Sequence, residues 1–301
     1  MVVAVLVGAG AASASGPTHP PPGTPPQVAA LVASAPSIAT LPSNVTPPLV
    51  TAGNDDALHE FPTLTPCISG GLHEPACVFG DTKGTRTMAL VGDSHALMWF
   101  PALDAVAKAA RWRLVALMNY GCPVADVTVW NVLTNSPGYG CPGFRSYAIK
   151  RIGRLHPALV VVSEAFYSLN ASDKPITDTQ WTRALAKSLD ALAAPGTHRV
   201  LIGQSYLVLD PIACLAANPG RIQRCSHAER TASFTAELTA DARAARQSGS
   251  TYVNEVPWAC SATCTAIVGN MVVYNSTGHL SATYDTYLTN VLRLALRSSM
   301  R

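Results

Sequence analysis

The sequence predicts an α/β protein built as a three-layer α/β/α sandwich with a parallel five-stranded sheet. Two observations carry this prediction. Short apolar runs rich in β-branched residues recur at strand length, and longer segments of helical pattern alternate with them. Strand, helix and strand in strict alternation require right-handed crossovers, which place helices on both faces of a parallel sheet.

Residues 1–16 are small and apolar and contain Ala12-Ser13-Ala14, the form of a signal-peptidase site, without the basic residues that open a secretory signal. A degenerate signal peptide, the end of a membrane helix and a plain apolar tail all fit this segment. No apolar run reaches the roughly 18 to 20 residues that a spanning helix needs. Residues 17–66 hold about half of the 23 prolines, among Ala, Ser and Thr. Such a stretch is pre-extended and has little to bury, so a Pro-rich spacer or disordered tail is expected, with the folded unit at 67–301.

Within that unit, strands are expected at Thr87–Val91, Arg113–Leu117, Ala158–Val162, Arg199–Ile202 and Thr251–Val253. Helices are expected between them at His95–Ala110, Phe144–Leu155, Thr179–Ala194 and Ala228–Gln247, and after the last strand at Ser281–Leu296. The fourth helix carries signals at both ends. Ser226 and Glu229 have capping-box spacing, and Gly249 stands where a helix-terminating glycine belongs.

Hydrophobic residues make up 48% of the chain and charged ones 13%, which excludes a disordered polyelectrolyte. The 21 basic and 18 acidic side chains leave a dispersed +3, so nucleic acid is not an expected partner. All eight cysteines fall into close sequential pairs: Cys67 with Cys77, Cys122 with Cys141, Cys214 with Cys225, and Cys260 with Cys264. Even counts at short spacing suggest disulfides and an oxidising compartment; free thiols, or a zinc site using Cys260-x3-Cys264, are the alternatives. No Gly-rich phosphate loop, paired-carboxylate constellation or His-rich metal motif is present, and no metal or organic cofactor is expected.

In a sheet of this kind reactive groups sit at the carboxyl ends of the strands. The first strand runs into Val91-Gly92-Asp93-Ser94-His95-Ala96, which puts Ser94 at that edge and at a helix N-terminus, where backbone N–H groups favour developing negative charge. Ser94 is a candidate nucleophile there, or simply a helix cap. Among the histidines, His279 alone follows the last strand and opens the last helix. His19, His59, His73, His156, His198 and His227 are misplaced for the task, and the His95 side chain is expected to point elsewhere. Trp99, Trp130 and Tyr139 offer flat faces for a sugar, although such aromatics usually pack.

Five blocks in order resemble the SGNH (GDSL-like) hydrolase superfamily, and more narrowly the SGNH domain of the acyltransferase-3/SGNH O-acyltransferases. They are Cys77-Val78-Phe79-Gly80-Asp81; Leu90 to Ala96 around Ser94; Trp112-Arg113 followed by Gly121-Cys122-Pro123; Trp258-x-Cys260-x3-Cys264; and Val273-Tyr274 to His279-Leu280-Ser281-Ala282-Thr283-Tyr284. The resemblance runs from about residue 60 to the end. It implies a flavodoxin-like fold and acyl-ester chemistry, with Ser94 as nucleophile, His279 as base and the backbone N–H groups of Ser94 and Gly121 as oxyanion donors. The expected role is extracytoplasmic, in a secreted or membrane-associated protein. It is acyl transfer, expected as acetyl, to a cell-envelope polysaccharide or glycoconjugate, or hydrolysis from one. A membrane acyltransferase-3 domain is the implied partner.

Two departures qualify the resemblance. The usual third oxyanion donor, an Asn at the end of the third strand, is missing from Val162-Ser163-Glu164-Ala165. The usual Asp three residues before the base is Ser276, with Asn275 beside it and Asp285 further along. Loss of the orienting acid can cost about 10⁴ in turnover while leaving binding intact. A catalytically impaired domain that binds carbohydrate is therefore the alternative.

Overall fold

The structure, a computed structural model, describes residues 19–68, 77–131, 135–205, 210–228 and 231–301. The apolar segment at 1–16 lies outside them. Among the described residues no helix is long and apolar enough to cross a membrane.

The proline-rich stretch, expected as a spacer, is folded onto the domain. Helix α1 (Pro25–Ser34) has its two prolines in the first turn, where a missing N–H leaves no helical bond unmade. Val28 and Val32, one turn apart, are buried in the core with Ala35. The short helices α2 (Leu49–Ala52) and α3 (Ala57–Glu60) bury Ala52 and Ala57. Backbone bonds tie the segment to the far end of the chain: Gly23 N–H donates to Tyr287 O at 2.9 Å, Thr46 N–H to Asn270 O at 2.8 Å, and Ala282 N–H to Asp55 O at 3.0 Å. Composition hid this because prolines at helix starts and turns stiffen a folded segment instead of preventing one.

Strands β1 (Val78–Gly80) and β2 (Arg86–Gly92) lead into helices α4 (Ser94–Met98) and α5 (Phe100–Ala110), then β3 (Trp112–Met118). The single helix expected at His95–Ala110 is broken at Trp99. Pro101 lies in the first turn of α5, and a proline ring clashes with the carbonyl four residues back. A small hairpin of β4 (Trp130–Asn131) and β5 (Ser136–Pro137) precedes α6 (Cys141–Leu155), β6 (Leu159–Ser163), α7 (Asp178–Ala191) and β7 (His198–Ile202). Next come α8 (Pro211–Ala217), β8 (His227–Ala228), α9 (Ala232–Gln247) and β9 (Thr251–Val253). The two-residue strands β10 (Thr263–Cys264), β11 (Ile267–Val268) and β12 (Met271–Val272) come before α10 (Ala282–Tyr287) and α11 (Thr289–Leu296).

The capping box expected at Ser226 does not form. Residues 227–228 pair with β10, which takes their backbone out of the helix, and Thr231 caps α9 by accepting the Phe234 N–H at 3.2 Å. Ser226 Oγ bonds Gln223 instead, and Glu229 lies outside the described residues. At the other end Gly249 has φ +65° just past the cap residue Ser248, the left-handed step that the sequence predicts.

The main sheet has six strands in the order β1-β3-β2-β6-β7-β9. All five expected strands are present and parallel, and β1 joins antiparallel at the edge of β3. Its three half-exposed residues make no apolar run, so periodicity does not find it. Successive side chains of β2 point to opposite faces, Met88 and Leu90 into one core cluster, Ala89 and Val91 into the other. The disulfides are Cys67–Cys77, Cys122–Cys141, Cys214–Cys225 and Cys260–Cys264, the sequential pairs.

Candidate active site

β2 ends at Gly92, and a Cβ there would stand 1.9 Å from Ser163 O, so only glycine lets β2 and β6 approach this closely. The chain then turns through Asp93 into α4. The buried Asp93 carboxylate accepts the His95 N–H at 2.9 Å, the Ala165 N–H at 3.0 Å and the Tyr167 hydroxyl at 3.0 Å. Burial pushes the Asp93 carboxyl up, and these donors oppose the shift. Asp93 thus clamps the turn carrying Ser94 to the loop after β6.

Ser94 Oγ lies 2.9 Å from His279 Nε2, across a sequence separation of 185 residues. On the other side of the imidazole, Nδ1 is 2.7 Å from Thr277 Oγ1, and the Thr277 hydroxyl donates to Asn275 Oδ1 at 2.7 Å. Since that hydroxyl spends its one proton on Asn275, it accepts from Nδ1–H. The tautomer this selects leaves the Nε2 lone pair facing Ser94. Burial, then the His95 ring, push the His279 imidazole down to about 4, against the opposing fields of Asp93 and Asp56.

Ser276 is not part of this chain. Its hydroxyl donates to Gly53 O at 2.8 Å and so pins the His279 loop to the N-terminal segment. Asp285 is buried and accepts the Ala102 N–H at 2.7 Å, at the start of α5. Glu164, in the stretch that lacks the family's Asn, turns its carboxyl to the Val124 and Ala125 N–H groups. Desolvation and neighbouring Asp93 push that carboxyl well up.

Gly121 has φ +65°, and a Cβ on it would lie 2.3 Å from Asn131 Nδ2, so the Asn131 amide packs directly against it. Both line, with Ser94 and His279, a cavity of about 560 Å³. Asn131 carries no signal in the sequence; the β4–β5 hairpin brings it there, inside the loop closed by Cys122–Cys141. Asp56 also lines the cavity while capping α3. It comes from the stretch expected as spacer, so sequence reasoning passes over it.

The His95 ring is not turned elsewhere. It is fully buried, edge-on to His279 with centroids 5.3 Å apart, and among the described residues neither ring nitrogen has a hydrogen-bond partner. Burial pushes it down to about 4, so it is neutral near pH 7. Of the three aromatics, Trp130 lines the cavity, Trp99 is buried edge-on to Trp258, and Tyr139 is exposed. Among the described residues no group of His, Cys, Asp and Glu is placed to hold a metal ion.

Residues 63–293 match the family model described as SGNH domain (fused to AT3 domains). Among solved structures, the periplasmic domain of a lipopolysaccharide acetyltransferase from Salmonella ser. Paratyphi A is similar at TM-score 0.57 and 15% identity. The match covers 82% of this chain and 96% of that one. A GDSL-like lipase from Bacteroides thetaiotaomicron matches at TM-score 0.44 and 10% identity, covering 71% of this chain and 89% of that one. Among curated proteins no sequence matches.

Proposed function

Because the chain belongs to the family of SGNH domains fused to AT3 domains, we propose that it is an extracytoplasmic acyltransferase or esterase working through an acyl-serine intermediate. The observation that carries this reading is the 2.9 Å contact between Ser94 Oγ and His279 Nε2, open to a cavity. Ser94 Oγ attacks the acyl carbonyl and its proton passes to His279 Nε2. The oxyanion is held by the Ser94 and Gly121 N–H groups, with the Asn131 amide beside Gly121 as the third donor. As the carbonyl re-forms, the bond to the leaving oxygen breaks and His279 returns the proton to that oxygen. A hydroxyl of a cell-envelope polysaccharide or glycoconjugate, or water, then takes the acyl group by the reverse steps.

The Thr277–Asn275 relay takes the orienting place of the usual acid. It fixes the tautomer but brings no charge to stabilise the imidazolium, so turnover is slower than with a carboxylate. The disulfides support an extracytoplasmic location, and the family description supports a membrane AT3 domain as acyl source.

The test is fluorophosphonate labelling of the full chain, followed by intact mass, beside Ser94→Ala and His279→Ala. One adduct on the wild-type chain that Ser94→Ala abolishes and His279→Ala slows is the expected result. A wild-type chain that stays unlabelled sinks the enzyme reading and leaves a carbohydrate-binding module.

A further inference from the structure

We propose that the acyl group taken up by Ser94 is an uncharged chain of several carbons, longer than the acetyl that the resemblance suggests, lying on an aliphatic wall of Ala57, Leu97, Met98 and Leu280. This inference rests on the acyl-serine reading and names the substrate class of the same site.

The first argument is size. The cavity beside Ser94 is about 560 Å³, within the range of pockets that enclose a whole drug-sized ligand, so an acyl chain of several carbons and a sugar ring fit in it together. Such a void, left empty, would forfeit both the contacts and the desolvation that an acyl ester can supply.

The second argument is position. Leu97 and Met98 follow Ser94 by three and four residues on α4, the spacing that puts side chains on one helix face. Leu280 follows His279 directly. All three line the cavity with Ser94, and both α4 side chains are nearly buried, at 6% and 4% exposure.

The third argument is that the cavity has two chemically different walls. Ala57, Leu97, Met98 and Leu280 belong to the core cluster on one face of the sheet, whereas Phe166 and Tyr167 pack against the cluster on the other. The cavity is also lined by Tyr120, Trp130 and Asn131, aromatic and polar groups that suit the ring of a sugar acceptor. Asn275, Thr277 and the Asp56 carboxylate also line the cavity. That carboxylate accepts the Leu58 and His59 N–H groups and lies 3.0 Å from His59 Nδ1, and it disfavours an acyl chain ending in a carboxylate.

The test measures kcat/KM of the full chain on p-nitrophenyl acetate, butyrate and hexanoate, with Met98→Trp and Ala57→Leu beside the wild type. Burying each methylene is worth about fourfold, so hexanoate is expected to exceed acetate by at least about tenfold. Either filling variant is expected to pull that ratio toward one; having two guards against one misfolding. A flat or falling series, or an unchanged ratio in both folded variants, overturns the long-chain inference alone. Hydrolysis that survives Ser94→Ala, or a wild-type chain inert to both esters and fluorophosphonate, overturns the acyl-serine reading and the inference with it.

Discussion

Thr277 Oγ1 stands 2.7 Å from His279 Nδ1, in the place where the sequence alone points to Ser276. The two neighbours divide the work: Thr277 faces the imidazole, and Ser276 holds the loop to Gly53. The difference is measurable. Thr277→Val removes the acceptor for Nδ1–H and is expected to slow labelling of Ser94 by about 100-fold, short of the roughly 10⁴ seen when a charged orienter is lost. Ser276→Asp is expected to give no acceleration, because its side chain points to the N-terminal segment. An accelerated Ser276→Asp variant would return the third place to residue 276.

The pH profile follows from the burial of His279. An imidazole pushed down to about 4 is already an empty base at neutral pH. Below that value it is protonated and cannot take the Ser94 proton. Activity is therefore expected above about pH 4, with loss as pH falls through it. Fluorophosphonate labelling rates between pH 3.5 and 8 check this; an acid limb centred near 6.5 would mean that His279 is more hydrated than its surroundings imply.

Stability has the opposite pH trend. Burial pushes Asp241 up to about 7 and Glu255 up to about 8, above the ordinary carboxyl values that hold in the unfolded chain. A carboxyl with a raised folded pKa contributes stability that is fully present below its unfolded pKa and is lost as pH rises through its folded pKa. Melting temperature is expected to be highest near about pH 4 and to fall between about pH 4 and about pH 8. Asp241→Asn, which keeps an acceptor for Trp181 Nε1 (2.9 Å away in the native chain), is expected to flatten the trend in differential scanning calorimetry.

The N-terminal segment should prove part of the catalytic domain. A chain starting at residue 60 loses the buried Val28 and Val32, each worth about 1.5–3 kcal/mol. A melting temperature lower by about 10 °C is expected for a domain of this size. It also loses the Gly53 and Asp55 anchors of the loops around His279. Labelling of Ser94 should therefore slow at temperatures well below the melt, which purely global destabilisation would not produce.

Much of the fold was legible because it is written in local pattern. The five parallel strands and their helices follow from apolar runs and helical periodicity, and Ser94 and His279 follow from their places at the carboxyl edge of such a sheet. The cysteine pairs are close in sequence, so spacing pointed to them. Other features depend on which distant segments meet. The hairpin at Trp130–Asn131 delivers an amide to Gly121, and the strand at Val78–Gly80 has meaning only against β3. The Ser226 cap failed because a two-residue pairing with Thr263–Cys264 outweighs a local signal.

By itself, then, the sequence determined the layered architecture and the places of Ser94 and His279 at the carboxyl edge of the sheet, because each is set by residue type and spacing along one element. The tertiary structure alone decided that residues 19–66 complete the domain, that Thr277 and not Ser276 contacts the imidazole, and that a cavity opens beside Ser94. These depend on contacts between segments far apart in the chain, whose geometry is fixed only when the core closes.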